Sequence, residues 1–196
     1  MIKRDFLARS VLLAALPVAT SAQAAPSLSR GPVLLTIGGV AVTKGNRAAL
    51  DPAFDQMMAK HGVQFDKALA MDAAALYRLP TVQIQPTLEY DGKVHSLSGP
   101  LVSTVLEAAG VAPTSSVLVG LRAVDGYNVA VSLADIRRYR MIIATHMDGQ
   151  PLALGGLGPQ WAVYDADRLA DFKDMPLKQR FGLCPWGVYY IDVKPA

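Results

Sequence analysis

Two Asp-Gly pairs, Asp91-Gly92 and Asp125-Gly126, each stand between short runs of β-forming residues, and nothing else in this sequence constrains its fold so much. Glycine reaches the positive φ that a tight hairpin needs, and an aspartate before it bonds its own backbone, so each pair predicts a reversal between antiparallel strands. The first reversal joins "TVQIQPTLEY" to residues 94–97, and the second joins "SSVLVGLRAV" to "YNVAVSL".

The segments around them read as short elements. "GPVLLTIGGVAVT" (31–43) predicts a strand pair or a bulged strand at the edge of the domain. In "DPAFDQMMAKHG", Asp51 is placed to cap a helix, with Pro52 in its first turn and Gly62 at its close. A second helix is expected from about Asp66 to Leu79, because Phe65, Leu69, Ala73 and Leu76 recur at three- and four-residue spacing before Pro80. A third runs from Gly99 through Leu101, Val105, Leu106 and Ala109 to Gly110. Near the C-terminus "QWAVY" reads as a strand, and "GGLGP" (155–159) before it as a tight turn where backbone passes close to something. Strand, helices, hairpin, helix, hairpin, helix and strands in that order predict an α+β domain with mixed or antiparallel sheets and short helices, not a regular parallel sheet.

With 52% hydrophobic and 18% charged residues among 196, the chain has the composition of one domain that buries an adequate core. Residues 1–25 are set apart from it. A basic head (Lys3, Arg4), an apolar run from Val11 to Ala19 and small residues at Ala22 and Ala24 form a secretory signal, with cleavage after Ala24 or Ala25. The run is about half what a membrane span needs and contains Pro17, which leaves an uncleaved anchor as the lesser alternative. "KRDFLARS" resembles the twin-arginine export pattern with Lys3 in place of the first arginine, so general secretion and the twin-arginine route both stay open. The expected domain is residues 26–196 and its expected location is the periplasm.

Formal net charge is +3, and without the basic head 16 basic residues face 15 acidic ones. That is no footprint for nucleic acid. Cys184 is the one cysteine, so an exported chain of this sequence has no internal disulfide, and its apolar neighbours predict a buried, structural thiol. His61, His95 and His146 stand singly, without the spacing of a protein-made zinc site. Neither a Gly-x-Ser-x-Gly elbow nor a phosphate-binding loop is present. "IRRYR" (136–140) is a solvated helix end or, if it faces a pocket, an anion clamp.

In sequence order, "LSGPLVSTVLEAAGV", "VLVGLRAVDGYNVAVSLADI", "MIIATHMDGQPLALGGLGPQWAVYDAD" and "WGVYYIDV" resemble the successive segments of the sulfite-oxidase-like family, the oxidoreductase molybdopterin-binding domain. The resemblance covers about residues 33–194 and implies that family's fold. Enzymes of the family hold molybdenum through two pterin sulfurs and one cysteine thiolate, which lies shortly before the Gly-x-Pro-Leu helix start. Here that window contains no cysteine, and Thr87 stands about where the thiolate is expected. An aliphatic hydroxyl is a far weaker acid and a harder ligand than a thiol. The resemblance therefore implies a domain that keeps the cleft without the metal, as a ligand-binding, sensory or accessory module. No cofactor and no metal ligand are expected on that reading, and the catalytic residues are unassigned. Its partner is a small ligand or a periplasmic or membrane protein. The alternative is a molybdopterin-dependent periplasmic oxidoreductase whose metal has a non-cysteine ligand. Gln85, Thr87, Tyr127, Arg138, His146, Gly158 and Trp161 match the segments that line the family's cofactor cleft.

Overall fold

The computed structural model describes residues 31–196, so the expected export signal lies outside the described residues. The first half contains β1 (Val33–Gly38), β2 (Arg47–Ala48), α1 (Gln56–Lys60), β3 (Lys67–Asp72), α2 (Ala73–Tyr77), β4 (Thr81–Ile84), β5 (Leu97–Pro100) and α3 (Val102–Ala108). The second contains β6 (Val117–Ala123), β7 (Asn128–Ser132), α4 (Leu133–Arg138), β8 (Ile142–Ala144), β9 (His146–Met147), β10 (Gln150–Pro151), β11 (Trp161–Val163) and β12 (Val188–Pro195). A six-stranded sheet runs β2-β3-β1-β12-β6-β7, a four-stranded one β10-β9-β5-β4, and β11 pairs with β8. β1 and β12 are parallel, while their other neighbours are antiparallel, so the large sheet is mixed as expected of this α+β fold.

Both hairpins form at their Asp-Gly pairs. Gly126 (φ +92°) turns β6 into β7, and Asp125 Oδ1 accepts from Tyr127 N at 2.9 Å. Gly92 (φ +69°) turns the other hairpin. There Ile84 pairs with Leu97 and Thr87 with Val94 in one register, but the continuous return strand begins only at Leu97.

Four local expectations are corrected. β1 carries the expected bulge, between Val33 and Leu35, yet it is internal to the sheet, flanked by β3 and β12. The first helix starts at Gln56, not at Pro52; Asp51 instead closes a turn by accepting from Ala53 N at 2.9 Å, while Gly62 (φ +68°) ends the helix as expected. The stretch expected as a helix from Asp66 to Leu79 is a strand up to Asp72 and a helix only from Ala73. Ladder bonds to β1 and β2 on either side overrode the local spacing, and the strand's alternation is weak in sequence because Ala68 and Ala70 are buried on one face and Leu69 and Met71 pack toward the main core on the other. Gly99 lies in β5, and its helix begins three residues later, at Val102.

One large core joins Leu35, Ile37, Leu106, Leu121, Ile136, Ile143, Trp161, Tyr164 and Ile191. Fully burying aliphatic or aromatic side chains of this size stabilises by about 1.5–3 kcal/mol each. A smaller cluster of Met58, Val63, Phe65, Ala68, Tyr189 and Tyr190 fills the space between α1 and the C-terminal strand.

Candidate functional site

Three segments far apart in sequence enclose a depression of about 320 Å³. The loop after β4 contributes Glu89 and Tyr90, the tip of the β6–β7 hairpin contributes Asp125 and Tyr127, and the segment before β12 contributes Lys178, Phe181, Cys184 and Trp186. The hairpin tip reaches that segment directly, because Tyr127 Oη donates to the Gly182 carbonyl at 2.8 Å. Beneath the depression lies Trp161, wholly buried, whose Nε1 donates to the Cys184 carbonyl at 2.9 Å. Its ring centroid is 6.3 Å from Tyr90 and 6.0 Å from Phe181, so an aromatic floor continues from the core to the surface. At the rim Tyr90, Tyr127 and Trp186 remain 55, 50 and 38% exposed.

Electrostatics here follow from burial and from the Glu89 carboxylate. Burial pushes the Cys184 thiol up to about 12, and the nearby Glu89 carboxylate adds to the shift. Burial likewise raises the Tyr90 phenol, again reinforced by Glu89. Lys178 is the one cationic side chain in the lining.

Only some of the residues expected to line one cleft meet here. Tyr127 lines the depression and Trp161 supports it. Gly158 passes behind: a Cβ there would lie 2.5 Å from the Leu152 carbonyl, which is the close approach expected of the glycine-rich turn. Thr87 is half-buried outside the lining, and its backbone N donates at 2.7 Å to Asp167, whose other oxygen accepts from Arg180 at 2.7 Å. Gln85 belongs to a second depression, of about 460 Å³, with Val82, Ile84, Arg140 and Asp165. His146 lines a third with Tyr77 and Thr81; its ring is 5.1 Å from that of Tyr77, and its Nδ1 is 2.9 Å from Thr145 Oγ1. Arg138 is a solvated helix end, pairing with Asp135 and Asp171 at 2.9 Å each. Sequence reading missed Glu89, Tyr90, Lys178 and Trp186. The signal available for Trp186 was its place two residues after Cys184, and the other three carry no local mark.

No family model matches the chain, and no relative is found among curated proteins. Among solved structures, the crystal structure of the sulfane dehydrogenase SoxCD from Paracoccus pantotrophus superposes with a TM-score of 0.53, at 14% identity, over 87% of this chain and 40% of that one. The fold is sulfite-oxidase-like. At that identity the likeness concerns the fold alone, and the chain spans well under half of the SoxCD chain it matches.

A sulfite-oxidase-like fold raises the question of whether these residues suit a molybdenum pterin. That group brings a soft metal that wants a thiolate, and an anionic phosphate that wants cations. Thr87 offers a hydroxyl and sits against the Asp167 carboxylate. Cys184 is 4% exposed, with its proton held by burial. Two carboxylates and one ammonium make up the charged lining of the depression beside it. The donor set of this depression does not fit the group.

Proposed function

We propose that the protein is an exported, metal-free module on a sulfite-oxidase-like fold that binds a small ligand in the depression between Tyr90, Tyr127 and Trp186. The observation that carries this reading is the exposed aromatic rim over a buried aromatic floor. Large aromatics left half in water around one concavity are the usual material of a ligand site. Tyr127 is held by its bond to Gly182 and so is preorganised, which lowers the entropic cost of binding. The bound state signals to a periplasmic or membrane partner or serves as an accessory to one. Among the described residues no helix is long and apolar enough to cross a membrane.

Molybdenum analysis tests this reading. Protein purified from a host that makes the pterin is expected to contain far less than one molybdenum per chain. A value near one overturns the proposal in favour of a molybdopterin-dependent oxidoreductase with a non-cysteine ligand.

A further inference from the structure

We infer that the depression selects an organic cation, a compact ammonium whose charge is shielded by methyl groups. This deepens the ligand-binding reading and rests on it. Three observations bear on the charge of the ligand. First, Tyr90, Tyr127 and Trp186 present half-exposed rings to one small space, and the faces of phenol and indole rings carry the negative end of a quadrupole that attracts cations. Second, the charged lining has an excess of carboxylate, with Glu89 and Asp125 against Lys178. Asp125 spends one oxygen on the Tyr127 backbone, and its other oxygen has no such bond to the hairpin. Third, the space of about 320 Å³ lies at the small end of ligand sites, which suits a compact cation better than an extended chain.

An anion meets two carboxylates against one ammonium here and is disfavoured. A neutral sugar can stack on the same rings, but it forgoes the attraction of the carboxylates. A methylated ammonium uses both, since it needs no directional hydrogen bond and loses little hydration on entry. Trp186 and Trp161 are the only two tryptophans, so binding can be followed at their separate indole N–H resonances.

The test titrates the full mature protein with choline, with its uncharged isostere 3,3-dimethyl-1-butanol, and with glucose. Choline is expected to shift the Trp186 signal saturably and to bind at least about tenfold more tightly than the isostere. Glu89→Gln is expected to weaken choline about three- to tenfold with a smaller effect on the isostere, and Tyr90→Leu to weaken both with the larger loss for choline, in line with the modest strength of exposed cation–π contacts. Equal binding of choline and its isostere, glucose binding without choline, or no saturable shift with any probe overturns the inference. The first two results leave a ligand site of different chemistry in place. Stoichiometric molybdenum, by contrast, removes the underlying reading whichever probe binds.

Discussion

Burial holds the proton on Cys184: the thiol is pushed up to about 12 and its side chain sits in the main core. Cys184→Ser places a hydroxyl in those apolar surroundings and is expected to cost about 1–3 kcal/mol in chemical denaturation. Alkylation of the native thiol is expected to be slow, and rapid labelling at neutral pH contradicts the assignment. His95 shows the opposite influence. Its Nδ1 lies 2.6 Å from Asp148 and its Nε2 3.1 Å from Asp91, tying the 88–93 turn to the β9–β10 turn. Those hydrogen bonds, Asp148 first and Asp91 second, raise the His95 pKa above its ordinary value of 6.5. The same bonds lower both aspartates below 3.8, helped by the backbone N–H groups of Ser96 and Lys93. A raised histidine contributes stability that is fully present below 6.5 and fades as pH climbs through its folded value. The lowered aspartates contribute stability present above 3.8 and lost as pH falls through their folded values. The contribution of the cluster therefore peaks between about pH 4 and 6.5. Denaturation of the wild type and His95→Gln across pH 4–9 is expected to show a stability gap that narrows on the alkaline side. A gap constant across that range refutes the linkage. Both side chains were visible in the sequence, but their partners were not, because His95 and Asp148 stand 53 residues apart.

Among the elements, those governed by local backbone chemistry were legible and those governed by pairing were not. Asp125-Gly126 and Gly62 needed only φ preferences, and both act as read. The strand Lys67–Asp72 carries apolar residues at helical spacing, yet it is held extended by neighbours on both edges. The helix that follows owes its start to Asp72, whose buried carboxylate accepts from Ala75 N at 2.7 Å and from Gly31 N at 3.1 Å. Asp72→Ala is expected to destabilise by about 0.5–2 kcal/mol through loss of that cap. Gly99 is the sharper case. Its missing Cβ would lie 1.9 Å from the Ile143 carbonyl, where β5 passes β8. Gly99→Ala is expected to lower stability by about 2 kcal/mol or more, because rigid backbone must move. A thermal midpoint within a degree of the wild type contradicts this close approach.

For the whole molecule, the export and cofactor readings are open to direct measurement. Intact mass of protein recovered from the periplasm is expected to place the mature N-terminus at Ala25 or Pro26, and a full-length membrane-extracted species rejects export as a cleaved chain. Thr87→Cys is expected to leave the molybdenum content low, since residue 87 is tied through its backbone N–H to the Asp167 carboxylate and does not line the aromatic depression. Metal gained by that variant shows instead that only the ligand atom was missing. By itself the sequence determined the two hairpins, the α+β class, the burial of Cys184 and the absence of a thiol around Thr87, because turn chemistry, composition and residue identity are local properties. Tertiary structure alone decided that β1 is internal, that residues 67–72 form a strand, and that Glu89, Tyr127 and Trp186 share one depression. β1 and β12 pair across about 150 residues, and the depression forms only where the hairpin tip, the 88–93 turn and the segment before β12 converge. Such convergence depends on which sheet edges find one another in the folded chain, and local periodicity carries no record of it.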